Sequence, residues 1–279
     1  MSSRTIVVER PGLQSLVVDR GRFGLRHQGV AWCGAMDQRS YAIANELVGN
    51  ARGDAAIEIV LGDLAVVFEA HATFALAGAD CAAQLDGEAV SPWIAHAARA
   101  GSRLVLHRPR AWMRTILAIG GGIDVPVVLG SRTTDLVAAM GGMQGRALRT
   151  GDRIALGPAT APPSRLVVEL PQPEVVLRTV PEAFAEYLWF RVWTVGHESN
   201  RMGYRLRGDA LPHESGAAAS RAVFPGCVQL PPSGEPIVLM SDAQTTGGYP
   251  LAGVVLEEDM WMLAQAPPGA PVRFVECVQ

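Results

Sequence analysis

Residues 57–68 read IEIVLGDLAVVF. Two short apolar runs flank Gly62-Asp63, a pair that predicts a tight hairpin turn between two strands. The same texture continues outward along the chain. Apolar runs at Thr5–Val8, Ile57–Leu61, Ala65–Phe68, Thr73–Leu76, Arg103–Leu106, Thr115–Ile119, Leu166–Glu169, Phe190–Val195, Ile237–Met240, Ala252–Leu256 and Val272–Val275 are punctuated by glycine, proline and aspartate. Many short strands with turn signals between them favour barrels or sandwiches over a doubly wound sheet. Helical periodicity is scarce. The clearest case spans about Asp37 to Val48, with Asp37 as N-cap, Tyr41, Ala44, Leu47 and Val48 on one face, and Gly49-Asn50 as the stop. Shorter helices are expected from Pro181 to about Tyr187 and from Asp259 to Ala264.

The chain has 279 residues, enough for two compact domains or one large one. GPATAPPS at 157–164 has the composition of a linker, which divides the chain into 1–157 and 165–279. LRTGDRIALG at 148–157 and APPGAPVRFVE at 266–276 end the two halves alike, each with a glycine turn feeding an alternating strand. Two similarly built barrels or one pair of common turns would both produce that echo. No shorter repeat is present.

Composition excludes several chemistries. The chain contains no lysine, so all 24 basic residues are arginine. A Schiff base, a phosphate-loop lysine and a lysine carrying covalent biotin are therefore ruled out for this chain. With a net charge of -3 and mixed charges there is no basic footprint for nucleic acid. No apolar run reaches the roughly 20 residues of a membrane span, and the first residues read as a strand rather than a signal peptide. Cys33, Cys81, Cys227 and Cys277 are dispersed with no CxxC, which fits reduced thiols and a cytoplasmic setting. His27, His71, His96, His107, His197 and His213 show no metal-ligand spacing, and no GxSxG elbow is present.

Four stretches carry polar variety. GLRHQGVAWCGAMDQ (24–38), with Arg22 just before it, offers Arg22, Arg26 and His27 to an anion, although from spacing alone a capped helix and solvated arginines account for it better. GGGIDVPVVLGSRTTD (120–135) lacks GKS or GKT, and its Ser131–Thr134 run reads as a hydroxyl-rich turn. SNRMGYRL (199–206) begins an alternation of Arg201, Arg205 and Arg207 that would line one strand face, either as a carboxylate clamp or as a solvated surface. SDAQTTGGYP (241–250) packs an acid, an amide, two hydroxyls, two glycines and a phenol into ten residues, more than a turn requires.

Taken in order, the stretches 21–50, 121–135, 145–152, 199–206 and 241–250 resemble the carboxyltransferase, or allophanate hydrolase subunit 2, family, and the resemblance runs from about residue 5 to 277. Trp32 and Cys33 depart from the smaller or more polar residues usual in relatives, and the stretch between Leu206 and Phe224 is short and alanine-rich. The resemblance implies a mainly β chain of two cyclophilin-like β-barrel subdomains with a few short helices. It also implies work as the C-type subunit of an ATP-dependent 5-oxoprolinase, which opens 5-oxoproline to L-glutamate together with an A-type subunit and a B-type, KipI-like subunit. ATP would then act at the level of the complex. Two other roles occur in the family. One is biotin-dependent carboxyl transfer, as in urea carboxylase, with biotin supplied by another protein. The other is a non-enzymatic, KipA-like antagonism of a kinase inhibitor.

Residue chemistry and the resemblance together nominate Asp242, Gln244, Thr245 and Tyr249 as catalytic. Arg201, Thr246, Gly247, Gly248, Arg22 and Asp37 are nominated as substrate-binding, and no metal is expected. Arg201 would hold a carboxylate or phosphate, Asp242 would orient or accept a proton, and Gln244, Thr245 and Thr246 would hold an amide or oxyanion.

Overall fold

A computed structural model describes residues 4–161, 174–211 and 219–277. The expected strand at 166–169, the end of the expected linker at 162–164, His213 and the middle of the alanine-rich stretch (212–218) lie outside the described residues. The chain forms two compact units, one of Met1–Arg22 with Asp37–Leu170 and the other of Phe23–Met36 with Pro171–Gln279. The described residues are mainly β, as the sequence indicates.

The first unit contains β1 (Thr5–Pro11), β2 (Gln14–Val18), β3 (Ala56–Val60), β4 (Leu64–Phe68), β5 (Ala72–Gly78), β6 (Gln84–Leu85), β7 (Glu88–Ala89), β8 (Ala95–Ala98), β9 (Arg103–Val105), β10 (Arg114–Ile119) and β11 (Arg153–Ala155). They form a six-stranded sheet ordered β11-β1-β4-β9-β6-β7 and a five-stranded sheet ordered β2-β3-β10-β5-β8. One core joins the sheets, with Ile6, Val66 and Phe68 from the first meeting Ile57, Phe74 and Leu117 from the second. Phe68 and Phe74 lie 5.4 Å apart across it, an aromatic contact worth about 0.5–1.5 kcal/mol beyond its buried area.

The turn at Gly62-Asp63 is not a hairpin. It is a corner, because β3 belongs to the five-stranded sheet and β4 to the six-stranded one. Leu61, Gly62 and Asp63 all take positive φ (56°, 68° and 58°), which turns the chain sharply between layers. A side chain on Gly62 would stand 2.0 Å from the His107 carbonyl oxygen. Two apolar runs about a Gly-Asp pair read the same whether the second strand folds back beside the first or crosses to the facing sheet.

Helix α1 (Gln38–Leu47) packs against β5 and β10. Asp37 caps it as expected, accepting from the Ser40 amide at 2.8 Å and the Ser40 hydroxyl at 2.5 Å. Asn50, the second residue of the stop, accepts from the Gly121 amide at 2.7 Å and donates to the Ile119 carbonyl at 2.9 Å. The asparagine and the glycine-rich run thus serve one structural junction. The segment 145–152 is similarly stapled, with Arg146 and Asp152 paired through two bonds of 2.8 and 2.9 Å.

The second unit contains β12 (Val175–Pro181), β13 (Val192–Val195), β14 (Gly203–Arg207), β15 (Arg221–Ala222), β16 (Cys227–Gln229), β17 (Ile237–Leu239), β18 (Thr246–Gly247), β19 (Leu251–Val255) and β20 (Pro271–Glu276). Seven of them close into a barrel in the order β12-β19-β16-β17-β14-β13-β20, while β15 and β18 form a separate ribbon. The closing pair, β12 with β20, is parallel. Closure leaves the barrel no open edge for another chain to extend. Trp193, Tyr204, Val228, Val238 and Phe274 fill the interior.

Pro181 ends β12 rather than starting a helix, and the helix that follows, α2, is short (Glu186–Trp189). A proline at a strand terminus costs no ladder bond, so its presence did not discriminate. The third helix, α3, spans Met260–Gln265. Asp259, the expected first residue of the helix, accepts the Arg178 amide, Nε and Nη2 at 2.8, 2.9 and 2.6 Å, tying the helix start to β12.

Candidate functional site

The segment Ser241–Pro250 leaves the barrel where β14 and β17 pair, with Gly203 opposite Leu239. That ladder continues past the strands, because the Met240 amide donates to the Met202 carbonyl at 3.0 Å and the Asp242 amide to the Arg201 carbonyl at 2.9 Å. Arg201 and Asp242 therefore sit side by side at one end of the barrel wall. Their side chains form a fork, with Nε to Oδ2 and Nη2 to Oδ1 both at 2.9 Å. Arg201 Nη2 also donates to the Gly34 carbonyl at 2.7 Å. Both residues are buried. In this setting a two-pronged guanidinium–carboxylate pair fixes geometry as well as charge.

The alternation expected for Arg201, Arg205 and Arg207 is found only for the last two. β14 begins at Gly203, and Arg205 and Arg207 face solvent on it. Arg201 precedes the strand and is buried, drawn inward by Asp242. Spacing alone cannot register where a strand starts.

Residues 23–36 belong to the same unit and line this end of the barrel. The Cys33 amide donates to the Ser241 carbonyl at 3.0 Å, with Cys33 at a φ of 54°. Ser241 Oγ reaches the Ala35 carbonyl at 3.3 Å. Arg26, in a single 3-10 turn closed by left-handed Gly29, donates through Nη2 to the Gln244 carbonyl at 2.8 Å and to the Val223 carbonyl. Its guanidinium lies 5.2 Å from the ring centre of Trp32, which in turn meets Phe23 at 5.4 Å. Burial draws the Arg26 pKa down from its usual value.

Gln244 has a second contact, its Nε2 lying 3.4 Å from Gln229 Oε1. Gln229 is 2% exposed on β16, and its Nε2 has no hydrogen-bond acceptor. Arg26 Nη1 also has none. Beyond Gln244 the chain forms the ribbon, with Thr246 opposite Ala222 and Gly247 opposite Arg221. The Val223 amide donates to the Thr245 carbonyl at 3.1 Å. A Cβ on Gly247 would stand 2.4 Å from Gln229 Nε2, so a side chain there would push the Gln229 amide aside. Thr246 and Tyr249 are exposed at the rim. The nearby Cys227 thiol is buried, which pushes its pKa up and keeps it protonated.

Of the ten nominated residues, the structure carries Arg201, Asp242, Gln244, Thr245, Thr246, Gly247, Gly248 and Tyr249 in the second unit, and Arg22 and Asp37 in the first. Asp37 is the helix cap described above. Arg22 is fully buried, donating to the Val128 carbonyl at 3.2 Å and the Thr133 carbonyl at 2.6 Å, while its Nη1 lacks an acceptor. The hydroxyls of the neighbouring turn are used within the fold, Ser131 on Asp19 at 2.6 Å and Thr134 on the Val17 carbonyl at 2.9 Å. Sequence reasoning missed Gln229. Its one signal was an amide inside the apolar run Cys227-Val228-Gln229-Leu230. Among the described residues no cluster of three or more His, Cys, Asp or Glu is arranged to hold a metal. No helix among them is long and apolar enough to cross a membrane.

The chain belongs to the family described as carboxyltransferase domain, subdomain A and B, whose profile matches residues 28–276. It is 44% identical to the C-type subunit of 5-oxoprolinase from Escherichia coli strain K12, over 96% of this chain and 90% of that protein. It is 37% identical to the corresponding 5-oxoprolinase subunit of Haemophilus influenzae, over 94% of this chain and 87% of that protein. Among solved structures, the K. lactis urea amidolyase superposes with a TM-score of 0.91 at 26% identity, covering 100% of this chain but only 19% of the larger one.

Proposed function

We propose that this chain is the C-type subunit of an ATP-dependent 5-oxoprolinase, a cytoplasmic heteromer that opens the lactam of 5-oxoproline to L-glutamate. The observation that carries this reading is the 44% identity to the E. coli 5-oxoprolinase subunit over nearly the full length of both chains. The partners are an A-type subunit and a B-type, KipI-like subunit. Nucleotide handling falls to those partners. A triphosphate cradle normally uses a phosphate-loop lysine, and this chain has none, so no step through ATP is assigned to its residues.

Within this reading the chain binds and orients the lactam. Gln244, Thr245 and Thr246 supply amide and hydroxyl groups to the reacting carbonyl. Gly247 and Gly248 allow close backbone approach, and Tyr249 offers its phenol at the rim. Arg201 and Asp242 act as a unit, the carboxylate held in one orientation by the guanidinium. Arg22 and Asp37 are ligand contacts of the first unit.

The likeness to urea amidolyase favours a second reading, biotin-dependent carboxyl transfer. Carboxybiotin would then arrive on another protein's lysine, and the same donors would receive its ureido ring. The deciding experiment measures ATP hydrolysis by the chain co-purified with its A- and B-type partners, with and without 5-oxoproline. Phosphate and glutamate released together, and lost when this chain is omitted, support the oxoprolinase. An intact complex that hydrolyses no ATP in response to 5-oxoproline removes it and leaves carboxyl transfer or the non-enzymatic, KipA-like role.

A further inference from the structure

Arg201 is the obvious arginine for a substrate carboxylate, yet its Nε and Nη2 are both spent on Asp242, and Nη2 on Gly34 as well. Among the described residues of the second unit, three buried donors have no acceptor: Trp193 Nε1 in the barrel interior and two beside the polar loop. Arg26 is fixed by the Val223 and Gln244 carbonyls through Nη2 alone, and its Nη1 has no acceptor. Gln229 is 2% exposed, and its Nε2 has no acceptor either. Buried donors of this kind are rare, because each forfeits about 1–3 kcal/mol when left unpaired. The two share neighbours. Both bond to Gln244, Arg26 at its carbonyl and Gln229 at its side chain. Val223 accepts from Arg26, and its methyls stand 3.4 and 3.5 Å from the Gly247 Cβ position that Gln229 Nε2 also crowds. Trp32 and Phe23 add a flat apolar wall beside the guanidinium.

We infer that Arg26 and Gln229 form the recognition site for a small ring amide bearing a carboxylate, Arg26 Nη1 taking the carboxylate and Gln229 Nε2 the ring carbonyl. The identity of the ligand as 5-oxoproline rests on the function proposed above. A charged donor suits the carboxylate, because a charge-assisted bond is about twice as strong as a neutral one. A neutral amide donor suits the carbonyl, where it also meets negative charge that develops on the oxygen during ring opening. Gly247 is the third element, since any side chain there would displace Nε2.

The test is calorimetric binding of two probes, 5-oxoproline and 2-pyrrolidinone, to the full chain alone and in its co-purified complex. 2-Pyrrolidinone keeps the lactam and lacks the carboxylate. Arg26→Met is expected to weaken 5-oxoproline about tenfold or more and to leave 2-pyrrolidinone nearly unchanged. Gln229→Leu is expected to weaken both probes by a similar factor. If Arg26→Met folds poorly, Gly247→Ala leaves Arg26 in place and is expected to weaken both probes. Variants that melt like the wild type and bind both probes like the wild type overturn the inference, as does a wild type that binds neither. The two readings fail separately. A complex that binds 5-oxoproline through these residues but does not open it removes the reaction and keeps the site. A complex that opens 5-oxoproline with unchanged KM in both Arg26→Met and Gln229→Leu keeps the reaction and removes the site.

Discussion

Arg201 and Asp242 are 41 residues apart in sequence and meet through two parallel bonds of 2.9 Å, with 7% and 5% of their side-chain surfaces exposed. The pair sits where the barrel wall gives way to the polar loop, so it decides how that loop leaves the barrel. Its value lies in geometry more than in net energy, because desolvation offsets much of the attraction between buried charges.

Removing one member strands the other. Asp242→Ala is expected to cost about 3–5 kcal/mol in urea unfolding, and Arg201→Met with Asp242→Leu together to recover much of that loss. Turnover separates structure from chemistry. If the double variant is as stable as the wild type yet inactive, the pair acts on substrate. If activity returns with stability, the pair only holds the loop.

Asp37 poses the same question in the first unit. Its carboxylate accepts the Ser40 amide at 2.8 Å, so Asp37→Ala is expected to lose about 0.5–2 kcal/mol, a typical N-cap contribution. Asp37→Ser keeps a capping oxygen and is expected to restore most of that stability. Steady-state turnover of the assembled complex then reports the nominated binding role, since a stable but inactive Asp37→Ser places Asp37 against substrate.

What the sequence revealed follows from what is local. The strand at 57–60 and the helix over 38–47 are written in apolar period and capping, and both were legible. The corner at Gly62-Asp63 was not, because layer membership depends on strand partners far along the chain. The polar variety of 241–250 stood out in the sequence, and in the fold Asp242 and Gln244 have specific partners. Which arginine was spent and which kept a donor was not readable. Arg26 and Arg201 differ in the acceptors folding brings to them, two carbonyls in one case and a carboxylate with one carbonyl in the other. Gln229 was hidden because a single amide in an apolar strand has no pattern of its own.

Two glycines of the first unit separate backbone conformation from crowding. Gly151 has a φ of 89° with nothing within 4 Å of a built Cβ, whereas Gly145 has a φ of 69° and a Cβ there would lie 1.9 Å from the Ala139 carbonyl carbon. Gly151→Ala is expected to cost about 1–2 kcal/mol, the left-handed penalty alone. Gly145→Ala adds a backbone clash and is expected to lower Tm clearly further. Equal losses in the two variants would mean that the loop at 139–145 yields to the added methyl.

The Arg146–Asp152 staple makes a pH prediction whose sign is fixed. The Arg146 hydrogen bonds, with the Arg149 amide adding to them, hold the Asp152 carboxyl below its usual range against the opposing effect of burial. A carboxylate whose pKa is depressed on folding contributes stability that is complete above its unfolded pKa and is lost as pH falls through the folded one. Asp152→Asn removes the charge at every pH. Wild type and variant are therefore expected to differ most in urea midpoint above about pH 5 and to converge as pH drops below about 3.9, the ordinary aspartate value. Subtracting the two curves cancels the other depressed carboxylates, Glu69 and Asp86, because neither shares a partner with Asp152 apart from the charge field. A gap that stays constant down to about pH 2 would show that the staple works through the shape of its hydrogen bonds and not through the charge on Asp152.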